Sequence, residues 1–92
     1  MGAVRTHVYI EGRVQGVFYR EWTVRAAQGL RLKGWVRNMA DGRVEAVFEG
    51  PKKTAEEMVK MCKKGPSRAN VTHIDVVWEE ARGEFTHFVV KR

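Results

Sequence analysis

An α+β fold, one sheet with two helices packed on a single face, is what this sequence predicts. Three observations carry that prediction. Stretches that alternate apolar and polar residues are interrupted twice by stretches with helical spacing. The interruptions fall so that the order is β-α-β-β-α-β, followed by one further short strand. Glycine and proline punctuate the boundaries, and the 92 residues suit a single domain spanning 1–92 with no linker or repeat.

The first strand is expected over Val4 to Glu11, where Val8 and Ile10 share one face and His7, Tyr9 and Glu11 the other. Residues 12 to 18 form a loop carrying Gly12 and Gly16. From Tyr19 to about Leu30 the spacing turns helical. Tyr19, Trp22, Thr23, Ala26, Ala27 and Leu30 fall on one stripe, and Gly29 weakens the last turn. Lys33 to Met39 and Arg43 to Glu49 are two strands joined through Asp41-Gly42, a dipeptide suited to the positive φ angles of a tight hairpin. Gly50-Pro51 opens a second helix, with proline in a first turn that makes no use of its missing N–H. Ala55, Met58, Val59 and Cys62 form its apolar stripe, Glu56 and Glu57 sit early, and Lys60, Lys63 and Lys64 sit late, matching the helix dipole. Gly65-Pro66 ends it. Val71 to Glu79 alternates again, with Thr72, Ile74, Val76 and Trp78 on one face. Arg82-Gly83 marks a turn, and Thr86 to Lys91 is a terminal strand presenting Phe88 and Val90 to one side. This is the split-βαβ, ferredoxin-like plan with an antiparallel-rich sheet.

Composition narrows the partners. Lys and Arg number 17 against 11 acids, a net charge of +6 that favours anions. Cys62 is the sole cysteine, which excludes an intrachain disulfide framework and fits a reducing compartment. Residues 1 to 20 contain charges and no apolar core of a signal peptide, and no run is long enough to cross a bilayer. A cytoplasmic chain without membrane association is expected.

The loop is the segment with chemistry in it. Successive backbone N–H groups in a tight glycine-bearing loop converge into a nest for anions, and the following helix start adds unpaired N–H groups and partial positive charge. Arg20 stands in the first helical turn with a planar fork of donors matched to phosphate oxygens. The spacing G-x-x-x-G-x-x-x-R of Gly12, Gly16 and Arg20 is neither a Walker A loop nor a dinucleotide fingerprint. By spacing alone, two glycines that shape a connection and a solvated arginine explain it equally well. Asn38, at a strand end before Asp41-Gly42, is by itself ordinary turn chemistry.

The longer stretches add more. "GRVQGVFYR", residues 12 to 20, closely resembles the signature of the acylphosphatases, enzymes that hydrolyse the carboxyl-phosphate bond of acyl phosphates. "GWVRNMADGRVEAVFEG", residues 34 to 50, matches that family's second pattern, G-[WY]-V-[KR]-N-x-x-D-G-x-V. The resemblance implies that Arg20 binds the phosphoryl group and that Asn38 holds the attacking water. It also implies that backbone amides of Val14, Gln15, Gly16, Val17, Phe18 and Tyr19 form the phosphate cradle. The chain departs from the family at Phe18, where many members have glycine or a smaller residue, and at Met39, where threonine or leucine is common. Arg31 replaces a glycine usual at the helix end, with Gly29 offset by two.

The chemistry is consistent with these residues. An acyl phosphate is a mixed anhydride whose carboxylate leaves without being protonated, so no general acid is required. Phosphoryl transfer then depends on positioning and charge stabilisation. Asn38 orients water but is too weak a base to deprotonate it. The water's proton is expected to pass to a phosphate oxygen of the substrate. A small-molecule acyl phosphate is the expected substrate and inorganic phosphate the product, with no metal, no organic cofactor and a monomeric chain.

Other features have plain structural explanations. His7, His73 and His87 lie on three separate strands without the local spacing of a metal site. Cys62 falls on an apolar stripe as a small core residue. Lys52, Lys53, Lys60, Lys63 and Lys64 make a solvated helix face. Trp22 and Trp78 fall on inward stripes, and Trp35 is ambiguous. An RNA-recognition motif shares the βαββαβ plan, but the corresponding strand "GRVEAVFEG" has one aromatic and two glutamates, Glu45 and Glu49, and no nucleic-acid partner is expected. A phosphate-sensing module without turnover is the remaining alternative.

Overall fold

The computed structural model describes residues 2–91. Its elements follow the expected order: β1 (Ala3–Arg13), α1 (Tyr19–Gly29), β2 (Lys33–Asn38), β3 (Val44–Pro51), α2 (Lys52–Lys64), β4 (Asn70–Glu80) and β5 (Phe88–Val90). The strands make one sheet in the order β4-β1-β3-β2-β5, with β1, β3, β2 and β4 paired antiparallel and β5 parallel to β2.

Strand periodicity decides which side is covered. Thr6, Val8 and Ile10 of β1, Val36 of β2 and Ala46 and Phe48 of β3 are fully buried under the helices, joined by Phe88 of β5, whose ring stacks on Phe48 at 5.2 Å. The helices contribute Tyr19, Thr23 and Ala27 from α1, and Ala55, Met58, Val59 and Cys62 from α2. Burial of each large apolar side chain contributes about 1.5–3 kcal/mol. Asn38 pairs with Val44 and is two residues beyond Val36, so it projects to the helix-covered side. That parity brings it to α1.

Several local expectations change. Gly12 belongs to β1, at a bulge against β4, where a Cβ would collide with the Asn70 carbonyl oxygen. The β2–β3 connection is not a two-residue turn with paired positive φ angles. The Gly42 N–H donates to the Met39 carbonyl and the Met39 N–H to the Arg43 carbonyl, and only Gly42, at φ 97°, is left-handed. Asp41 instead accepts from the Arg43 N–H at 3.1 Å and from its guanidinium at 2.9 Å, which together lower its pKa. Pro51 ends β3 and stands just before α2, and the first turn of α2 carries no acid.

The end of α1 is set by Arg31 rather than Gly29. The Arg31 N–H donates to the Gln28 carbonyl and the Leu32 N–H to the Ala27 carbonyl, a Schellman closure with Arg31 at φ 59°. Trp78 is 43% exposed, on β4 at the edge of the sheet. Cys62 is buried as expected, with its thiol pushed up to about 12 by desolvation.

Candidate active site

Three features converge where β1 hands over to α1. The first is the loop from Val14 to Phe18. Gly16 has φ 76° and Phe18 has φ 63°, left-handed conformations that turn the chain sharply before the helix. For a non-glycine residue such as Phe18 this costs on the order of 1 kcal/mol. Among the described residues, none of the amides from Val14 to Glu21 donates to a protein acceptor; the first helical bond runs from Trp22 N–H to the Phe18 carbonyl at 3.0 Å. Phe18 provides no side-chain cap. The α1 N-terminus therefore keeps its unpaired N–H groups and partial positive charge for an external anion.

The second feature is Arg20, the second residue of α1. It is partly buried and has no carboxylate or other hydrogen-bonding partner among the described residues. By contrast Arg5, Arg37 and Arg43 are each held by an acid. The third is Asn38 at the end of β2. Its Oδ1 is buried and has no protein hydrogen-bond partner. A buried amide oxygen left unpaired costs about 1–3 kcal/mol, so it is poised to accept from a water or substrate proton.

A cavity of about 170 Å³ joins these groups, lined by Val14, Gly16, Phe18, Tyr19, Arg20, Glu21 and Asn38. Arg20 and Asn38 thus reach one space from different elements. Gln15 and Val17 do not line it, although both belong to the loop.

Two supports hold this arrangement. Tyr19 is 1% exposed, and its hydroxyl donates to the Cys62 carbonyl at 2.6 Å, fixing the start of α1 to α2. Burial and this neighbour push the phenol well above its ordinary range, so it stays a neutral donor. Gln15 is the second support. Its Nε2 donates to the Met39 carbonyl at 2.8 Å and to the Arg43 carbonyl at 3.0 Å, tying the loop to the hairpin that begins beside Asn38. Sequence reasoning assigned Gln15 only a backbone role; a long amide between two glycines was the available signal. Glu21 on the cavity lining was also missed.

His73 meets Glu11 and Asp75, with ligand atoms within 4.8 Å of one another, a grouping across β1 and β4 that sequence spacing did not suggest. Asp75 raises the His73 pKa.

The family model for acylphosphatase matches residues 6–90. The chain belongs to the acylphosphatase family. An acylphosphatase of Chloroflexus aurantiacus is 48% identical over 90 residues, covering 98% of either chain. One of Haloarcula marismortui is 53% identical over 83 residues, covering 90% of this chain and 91% of that one. The crystal structure of the Bacillus subtilis acylphosphatase superposes with a TM-score of 0.93 at 32% identity, over 97% of this chain and 99% of that one. The acylphosphatase fold thus includes the terminal strand beside β2, as well as the βαββαβ core.

Proposed function

We propose that the chain hydrolyses acyl phosphates to a carboxylate and inorganic phosphate, with the 14–20 loop and Arg20 holding the phosphoryl group and Asn38 orienting the water. One observation supports this above the others: an unpaired guanidinium, an uncapped helix start and a partnerless buried amide oxygen share one small cavity. The amides of the loop residues that line the cavity, Val14, Gly16, Phe18 and Tyr19, and the Arg20 fork bind the phosphoryl oxygens and hold their charge as the acyl C(O)O–P bond lengthens. The Asn38 carbonyl oxygen accepts from a water whose oxygen forms the new bond to phosphorus. The carboxylate leaves with the electron pair, and the water's proton goes to a phosphoryl oxygen. A dianionic acyl phosphate and water thus give a carboxylate and dihydrogen phosphate.

The scheme assigns no step to a metal or organic cofactor, and inorganic phosphate is a competitive inhibitor in it. No described helix is long and apolar enough to cross a membrane. The buried, unpaired Cys62 favours a cytoplasmic location, and the small-molecule substrate requires only one chain at the site.

Benzoyl phosphate hydrolysis in the presence of a chelator tests the proposal. Arg20→Gln is expected to lose phosphate inhibition and to lower kcat/KM on the order of a thousandfold. Asn38→Ala is expected to keep phosphate inhibition while kcat falls roughly a hundredfold. Equal loss of both properties would remove Asn38 from its role, and phosphate binding without any turnover would make the chain a phosphate sensor. Because no histidine lines the cavity, kcat should be level between about pH 6 and 8; a histidine-like limb would contradict substrate-assisted proton transfer.

A further inference from the structure

Phe18 poses a problem that folding does not solve. It holds a left-handed backbone conformation that glycine adopts more readily, and the residue is 67% exposed. Its position supplies a reason, since it lines the same cavity as Arg20 and Asn38.

The anchors in this cavity are the loop amides, the Arg20 guanidinium and the Asn38 amide, all of them suited to the phosphoryl end and its water. The acyl group then lies toward the open side of the site, where the exposed lining residues stand. Val14 and Tyr19 are buried and offer that group no surface. The exposed side chains of the lining are Phe18 and Glu21. The first presents an aromatic face, and the second repels an anionic acyl group.

We infer that Phe18 is a specificity-determining residue that packs against the acyl group and selects uncharged aromatic or bulky apolar acyl phosphates over short ones. This rests on the acylphosphatase reading above and adds the substrate class. The exposed side chain gains contact when substrate arrives. An aromatic acyl group buries one face of the ring, while an acetyl group reaches little of it.

The test compares kcat/KM for benzoyl phosphate and acetyl phosphate in the unaltered chain, Phe18→Gly and Phe18→Tyr. Comparing variants on each substrate cancels the different leaving-group strengths. Phe18→Gly is expected to lower the benzoyl-to-acetyl ratio about tenfold, mainly through KM for benzoyl phosphate. Its inhibition constant for inorganic phosphate is measured alongside, because the Phe18 amide belongs to the cradle and any change there acts on both substrates alike and cancels in the ratio. Phe18→Tyr keeps an aromatic face and should restore the ratio. A ratio unchanged in Phe18→Gly, or equal losses on both substrates, would overturn this inference and leave the enzymatic reading standing. Failure of the unaltered chain to hydrolyse either compound would instead overturn that reading, and this inference with it.

Discussion

Gln15→Met isolates the latch between the phosphate loop and the water-orienting strand. The substitution keeps the length of the side chain and deletes its two donors, at 2.8 Å to Met39 and 3.0 Å to Arg43. Neither carbonyl is orphaned, because Met39 also accepts from the Gly42 N–H and Arg43 from the Met39 N–H. The stability loss is then that of two neutral hydrogen bonds, about 2 kcal/mol, without a further desolvation penalty. For a domain of this size that is roughly 8 to 16 °C in Tm. Catalysis should suffer more than binding. The loop amides and Arg20 move as one segment, so phosphate inhibition should weaken by no more than about fivefold. Asn38 sits on the other side of the broken latch, and a displacement near 1 Å costs on the order of a hundredfold in kcat. Steady-state benzoyl phosphate kinetics with phosphate inhibition, on protein shown to be folded by circular dichroism, measures both quantities. Gln15→Glu serves as the isosteric control, since its carboxylate faces two carbonyl oxygens and cannot donate to them. A folded Gln15→Met with undiminished kcat, or an equally active Gln15→Glu, would refute the coupling.

Two further outcomes follow from the fold. Arg31→Gly should raise the urea midpoint by an amount worth up to about 1 kcal/mol at constant m, because glycine relieves the left-handed strain at the end of α1; a lowered midpoint would show that the Arg31 side chain contributes contacts. Glu45 is a pH probe. Burial opposes its ionisation, but bonds from His7 at 2.6 Å and Arg37 at 2.7 Å outweigh burial and hold its pKa below the ordinary 4.5. With the folded-state pKa depressed, the unfolded chain takes up the proton first, so this stability is present above pH 4.5 and is lost as pH falls below it. Urea midpoints across that window should fall more gently in Glu45→Gln; parallel curves would mean the cluster contributes nothing.

The candidate site was partly legible in the primary structure. Arg20 and the loop amides are contiguous, and the glycines and helical spacing announce an anion nest at a helix start. Asn38 was legible only through its place in a longer pattern, since an asparagine before a turn has an ordinary explanation. Gln15 escaped because its partners are backbone carbonyls 24 and 28 residues away, and no side-chain pattern marks a carbonyl. Trp78 was placed inward from alternation, yet alternation identifies a face and says nothing about whether the strand lies at an edge.

What the sequence determined by itself is local: the order of elements, the inward stripe of α2, and the turn at Asp41-Gly42. These follow from periodicity and backbone preference, which act over a few residues. The tertiary structure alone decided the parallel seat of β5 against β2, the helix-covered side for Asn38, and the meeting of that residue with Arg20. Those depend on strand register and crossover packing, where apolar burial across the whole sheet sets relative positions that no short stretch encodes.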